Sequence, residues 1–240
     1  MNVSSKIRSF ASAVSTVVRK WPKSPWVIAF SGGKDSTLLL HLLTEYLESH
    51  GIFPEKLFIL FNDTLAEIPT LRSWTHKVLR DSLRYLRSLG IDANTIITTP
   101  LPQDTYYWRV IIRGYPAPTF KFRWCVDLLK INPTKRMLTK LAREYGHIVL
   151  FVGVRDDESK VRARRLRRIS YCTEMAFFLR TDIKGVIKVA PIRNWREDEV
   201  WYFLENSSPS WSSESDYYDF LLRLYLRKGL PDSSSPKPRF

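Results

Sequence analysis

The residues best suited to chemistry are Ser31-Gly32-Gly33-Lys34-Asp35-Ser36-Thr37, which combine two glycines, a cation, a carboxylate and three hydroxyls in one run. That composition suits an anion, phosphate above all. Glycines let the backbone approach it closely, and free amides at a helix N-terminus point at it along a favourable dipole. Lys34 adds a point charge, and Ser31, Ser36 and Thr37 add hydroxyl donors. Asp35 suits either the metal that accompanies a nucleotide or the cap of the following helix. The run is not a Walker A loop, in which Gly-Lys is followed directly by Ser or Thr. Here Asp35 follows Lys34, and Ile28 stands where that motif has its first Gly.

Such a loop needs a strand before it and a helix after it. Residues 26–30 are a short apolar run between a Pro-rich segment and the glycines, and read as a buried strand. Residues 36–48 read as a helix. Further strands are expected over 57–61, 95–98, 147–152 and 186–189. Helices are expected over 1–20, 68–89, 134–145, 195–204 and 216–226. This alternation predicts an α/β fold: a Rossmann-like, doubly wound parallel sheet of about five strands with flanking helices. Residues 1–205 would form that domain, with an insert at about 100–133. Residues 206–240 would form a helical C-terminal appendage, disordered over 233–240. The basic stretch 155–171 and the aromatic insert both follow strands, at the edge where open α/β sheets bind ligands.

The chain has 240 residues, ample apolar content at 44%, and a net charge of +14. That surplus suggests a polyanionic partner, a nucleic acid in the first place. Lys160, Arg162, Arg164, Arg165, Arg167 and Arg168 crowd one segment and suit a phosphate backbone. Tyr106-Tyr107-Trp108-Arg109 and residues 120–124 interleave aromatics with cations, as base-stacking platforms do. Only two cysteines are present, which argues against a disulfide scaffold and for a reducing, cytoplasmic setting. No apolar run approaches the roughly 20 residues of a membrane span, so no membrane is expected. Cys125 lies among Lys121, Arg123 and Lys130 at a candidate helix start, and both conditions favour a reactive thiolate. The histidines have no metal-ligand spacing, so a zinc site is not expected.

The loop resembles the SGGxDS loop of the adenine-nucleotide α-hydrolase, or PP-loop ATP pyrophosphatase, superfamily, whose fold is of the HUP type. The resemblance implies ATP held with its β- and γ-phosphates at residues 31–37, as a pyrophosphate leaving group. The α-phosphate is then attacked and a substrate is adenylylated, with Lys34 and Asp35 as catalytic residues. Mg²⁺ on the Asp35 side would neutralise the leaving charge. Asn62-Asp63-Thr64 with Glu67-Ile68-Pro69 resembles a turn of phosphoadenylyl-sulfate (PAPS) reductases and implies Asp63 near the nucleotide. Gly153-Val154-Arg155 with Glu158, Ser159 and Arg162 resembles their GxRxxES…R segment and implies Gly153, Arg155 and Arg162 at the phosphates. Pro191–Trp195 followed by Glu197–Trp201 resembles their PL..W…DVW element.

Gly114-Tyr-Pro-Ala-Pro118, Phe122-Arg-Trp-Cys125 and Leu129-Lys-Ile-Asn-Pro133 resemble the DndC-like proteins of DNA phosphorothioation, which are related to PAPS reductases. That likeness implies DNA as partner, with Cys125 carrying sulfur from a cysteine desulfurase or other donor. An oligomer, such as a dimer, is left open. Two departures stand out. PAPS reductases carry a late catalytic cysteine, and no cysteine follows Cys172 here. DndC-like proteins are associated with an iron–sulfur cluster, but two cysteines 47 residues apart cannot supply four thiolates, so no cluster is expected. The expected activity is cleavage of ATP to AMP and pyrophosphate to activate a DNA phosphate for sulfur incorporation. The alternatives are a PAPS reductase-like oxidoreductase, a tRNA thiolation enzyme and a non-catalytic nucleotide-binding subunit.

Overall fold

A computed structural model describes residues 3–119, 121–170 and 177–226. The elements in chain order are α1 (Val3–Lys20), β1 (Trp26–Phe30), α2 (Lys34–His50), β2 (Leu57–Asn62), α3 (Pro69–Ser88) and β3 (Ala93–Thr98). After the insert come α4 (Trp124–Val126), α5 (Asn132–Tyr145), β4 (Ile148–Phe151), α6 (Lys160–Ile169), β5 (Phe178–Leu179), β6 (Val186–Val189), α7 (Glu197–Asn206) and α8 (Asp219–Leu226). The expected tail at 233–240 and Cys172 lie outside the described residues.

The strands form one sheet in the order β3-β2-β1-β4-β6-β5, parallel except for β5. The chain winds outward from β1 through β2 to β3, then returns to the other side of β1 with β4. The strand order therefore reverses between β1 and β4. The sheet is the doubly wound one expected, with six strands where about five were read. β5 is two residues long, too short for any periodicity to mark it.

Both faces of the sheet are covered at its centre, which is why β1, β2 and β4 are almost wholly apolar rather than alternating. Trp26, Ile28, Phe30, Leu57, Ile59 and Phe61 face one core with Phe10 and Val14 of α1, Leu39 and Leu43 of α2 and Trp74 of α3. Val27, Phe58, Leu60, Ile148 and Leu150 face the other, against Leu138 and Leu141 of α5. Trp211, Tyr218 and Leu221 join the first core, so the C-terminal segment through α8 packs into the same interior as the sheet. His41 is buried there. Its ring bonds Tyr218 Oη at 2.9 Å and Glu45 Oε1 at 2.8 Å, and burial holds the Tyr218 phenol well above its ordinary range. Among the described residues, no helix is long and apolar enough to cross a membrane.

The segment read as an insert ends in helix. α4, a single π-helical turn (Asp127–Ile131) and α5 run on without a break. Pro133 accounts for the π turn. Proline has no N–H for the carbonyl four residues earlier and crowds it, so the helix must widen there. That carbonyl belongs to Leu129, and Asn62 Nδ2 donates to it at 2.6 Å. Thr98 Oγ1 in turn donates to Asn62 Oδ1 at 2.9 Å. The end of β2 thus docks the insert beside the sheet's C-terminal edge.

Candidate functional site

The point of strand-order reversal in a doubly wound sheet leaves a crevice beyond the strand ends. Here that crevice is a cleft of about 750 Å³ lined by Ser31, Gly33, Lys34, Asp35 and Ser36 after β1 and by Gly153, Val154 and Glu158 after β4. Lys130 and Lys135 close one side, and Tyr225 of α8 reaches another.

The loop holds itself open by internal bonds. Ser36 Oγ donates to Gly33 O at 3.0 Å and accepts from Ser31 N at 3.2 Å, and the two serine hydroxyls stand 3.1 Å apart. Trp74 Nε1 of α3 donates to Gly32 O at 3.2 Å. Gly32 has a φ of +77°, and a Cβ there would sit 2.1 Å from Thr75 Oγ1. Gly33 caps α2 with no side-chain hydrogen bond, which leaves the first-turn amides for a ligand. Thr37 is fully buried, and its Oγ1 has no hydrogen-bond partner among the described residues.

Gly153 is required by closeness rather than by φ. A Cβ on it would lie 2.9 Å from Asp35 O, 3.0 Å from Asp35 C and 3.1 Å from Ser36 N, all backbone atoms. Gly153→Ala should therefore push the first turn of α2 out of place. The pyrophosphate release expected from the sequence should then fall at least about tenfold, since misplacement near 1 Å costs on this order or more. Steady-state rates compared with thermal melts check this; normal rates would mean that the first turn of α2 plays no part.

The structure gives three charged residues partners that the sequence did not show, and it keeps Lys34 at the cleft but not Arg155 or Asp63. Arg155, expected at the phosphates, is buried, and its Nε donates to Asp35 Oδ1 at 2.6 Å. Its Nη1 reaches Trp195 O at 3.4 Å and Asp157 Oδ2 at 3.5 Å. A buried guanidinium needs such partners, because its charge is costly without them. Lys34 is also buried. It pairs with Glu197 Oε1 at 3.3 Å and lies over the rings of Tyr225 and Trp201, 5.0 and 5.8 Å from their centroids. Asp63 does not line the cleft: Oδ1 accepts from Leu65 N at 2.9 Å, and Oδ2 pairs with Arg72 Nη2 at 2.9 Å. Asn62, one residue earlier, does line it. The Arg162 side chain lies outside the described residues, as do those of Lys160 and Arg165. The exposed Arg167 and Arg168 sit on α6, beyond the Gly153–Ser159 turn.

Asp157 ties that turn to α7, since its Oδ2 also accepts from Glu197 N at 2.8 Å. Neither Glu197 nor Trp74 stood out in the sequence as part of the site. Glu197 does fall in the element likened to PL..W…DVW, whereas nothing marks Trp74 beyond its aromatic type.

No group of three or more His, Cys, Asp or Glu among the described residues is placed to hold a metal. Mg²⁺ needs no such group, because one or two carboxylates and the substrate phosphates suffice with water. Asp35 lines the cleft with one carboxylate oxygen on Arg155, which fits that pattern.

Cys125 is half-buried in a second cavity of about 560 Å³, with Thr64, Glu67, Tyr106, Arg123 and Lys130. Lys130 lines both cavities, so they adjoin. Trp124, beside the cysteine, stacks on Tyr106 with centroids 5.9 Å apart.

Comparison with known proteins bears on this arrangement. A protein of Methanocaldococcus jannaschii described as uncharacterized is 27% identical over 191 residues, 78% of this chain and 33% of its own length. Another from that organism, also described as uncharacterized, is 25% identical over 178 residues, 73% of this chain and 34% of its own. The chain thus spans about a third of the length of these curated relatives. The crystal structure of Candida glabrata FMN adenylyltransferase in complex with ATP shares the fold, with a TM-score of 0.50 at 14% identity over 86% of this chain and 55% of that one. The family model of the phosphoadenosine phosphosulfate reductase domain matches residues 25–210, from just before β1 to beyond α7. That match takes in the Ser31–Thr37 loop, the Cys125 cavity, all of the named cleft lining except Tyr225 and more than three quarters of the sequence, and the chain belongs to the phosphoadenosine phosphosulfate reductase domain family.

Proposed function

We propose that this chain is an ATP pyrophosphatase that activates a phosphate of DNA for sulfur incorporation. One observation carries the first half: an amide-rich loop at the N-terminus of a 17-residue helix, opening on the reversal point of the sheet. An oxygen of the acceptor phosphate attacks the α-phosphorus of ATP. The bond from that phosphorus to the α–β bridging oxygen breaks, and pyrophosphate leaves against the first-turn amides and Lys34. Mg²⁺, where bound at Asp35, supplies charge neutralisation on the leaving group.

The second half rests on the Gly114–Pro133 likeness to DndC-like proteins and on the Cys125 cavity adjoining the cleft. A persulfide on Cys125, loaded by a cysteine desulfurase or other donor, attacks the adenylylated phosphorus through its outer sulfur. AMP departs. A thiol then reduces the sulfur–sulfur bond, leaving sulfur on the phosphate and the reductant oxidised.

The decisive measurement identifies the products from ATP with and without DNA and a persulfide donor. AMP with pyrophosphate is expected; ADP with phosphate overturns the proposal. Cys125→Ser should keep AMP formation and abolish sulfur incorporation, and undiminished incorporation would remove the carrier role. Family membership supports a second reading, a sulfonucleotide reductase using the same cleft. Sulfite release from a sulfonucleotide with thioredoxin would establish it instead.

A further inference from the structure

α3 carries an arrangement that the proposed reaction does not use. Its outer face presents Arg72, His76, Arg80, Arg84 and Arg87, all exposed and spaced by four, four, four and three residues. That spacing sets them in one row along the helix, about 22 Å long at 1.5 Å per residue. Asp81 is the sole acidic residue of α3, so the row is not the mixed-sign face of an ordinary solvated helix. Like charges three or four apart on a helix repel, as Arg80, Arg84 and Arg87 do here. A bound polyanion would offset that repulsion.

The row borders a groove. His76, Arg80, Arg84 and Arg87 line a cavity of about 480 Å³ whose other wall is Thr95 and Ile97 of β3. β3 is the edge strand of the sheet, and Ile97 is 49% exposed. The ends of the row are anchored: Arg72 pairs with Asp63 at 2.9 Å, and Arg87 Nε donates to Ala93 O at 2.8 Å. The middle is open. Arg80 touches its neighbour Asp81 at 3.4 Å while 66% exposed, and no ion pair involves Arg84 among the described residues.

We infer that the α3–β3 groove is a track for the phosphate backbone of a single-stranded polynucleotide leading to the cleft. Its direction supports this. Arg72 stands beside the end of β2, at the cleft edge of the sheet, and Arg87 beside the start of β3, at the far edge. The same cleft edge carries the exposed rings of Tyr107, Trp108 and Phe122 on the insert, surfaces on which bases stack. A flexible single strand can meet both. This inference rests on the polynucleotide reading above for the identity of its ligand.

The test titrates a fluorescein-labelled single-stranded DNA of about 20 nucleotides by anisotropy across a salt series. Arg80→Glu/Arg84→Glu should weaken binding at least about tenfold and flatten the slope of log K against log salt by about 1.4, or 0.7 for each lost phosphate contact. Lys140→Glu/Arg143→Glu on exposed positions of α5 carries the same charge change and should weaken binding far less. The melting temperature and the affinity for ATP should be unchanged in both, which shows that they fold. Wild-type binding by the α3 variant, or equal weakening by the α5 variant, overturns the track and leaves the proposed function standing. No binding by the wild-type chain overturns the polynucleotide reading and the track together.

Discussion

Replacing Lys34 by Ala is expected to cut pyrophosphate release from ATP by about 10²- to 10³-fold, the usual cost of deleting one preorganised group that stabilises developing charge. Lys34 is 5% exposed and borders the cleft, with Glu197 Oε1 at 3.3 Å and the Tyr225 ring beneath it. Burial strengthens its field on any anion in the cleft, because little water screens it. Glu197 is 32% exposed at its side chain, so it can turn to solvent as the lysine engages a phosphate. The variant separates two roles. Unchanged ATP affinity with a lost rate marks an interaction made in the transition state; equal losses in affinity and kcat/KM mark ground-state binding. Normal turnover would mean that the loop is not where ATP is cleaved. Arg should rescue poorly, since its planar fork does not fit a slot shaped for a compact ammonium between a carboxylate and two rings.

Arg155→Ala is expected to cost about 3 kcal/mol of stability, the lower end for breaking a buried ion pair. For a chain of this length that lowers the melting temperature by roughly 6–12 °C. The guanidinium is 2% exposed and joins three things: the Asp35 carboxylate of the phosphate loop, Asp157 of the turn after β4, and Trp195 O before α7. Its removal leaves Asp35 beside an unfilled space. Asp35 is 19% exposed and keeps some water, which is why the lower end applies. Lys at this position reaches one partner at a time and should recover only part of the loss. Arg167→Ala, on the exposed face of α6, should stay within about 0.5 kcal/mol. Thermal and urea melts of the three variants check the ranking. A wild-type melting point for Arg155→Ala would show that the Asp35 pair does not bind the loop to the β4 turn.

The strand, Gly-rich loop and helix over residues 26–50 were legible in the sequence because their determinants are local. Gly32, Gly33 and the helix start after an apolar strand are consecutive, and chain geometry alone brings them together. The sheet was legible for a related reason: strands buried on both faces are short apolar runs, and helices between them have a 3.6-residue period. Phe178–Leu179 escaped because two residues carry no period; of the helix over Trp124–Ile131 only a start near Cys125 was read, because Pro133 and the aromatic composition read as loop.

The partners of charged groups belong to another order of distance. Arg155 meets Asp35 across 120 positions, and Lys34 meets Glu197 across 163. Both pairings depend on β4 lying beside β1 and on α7 packing against α2, facts of topology that no spacing encodes. From its sequence alone this chain determined the loop proposed here to bind phosphate and which strand and helix hold that loop. Only the tertiary structure decided which side chains line the cleft and which are spent holding the loop. Burial obliges every charge to find a partner, and the fold settles which partner is within reach.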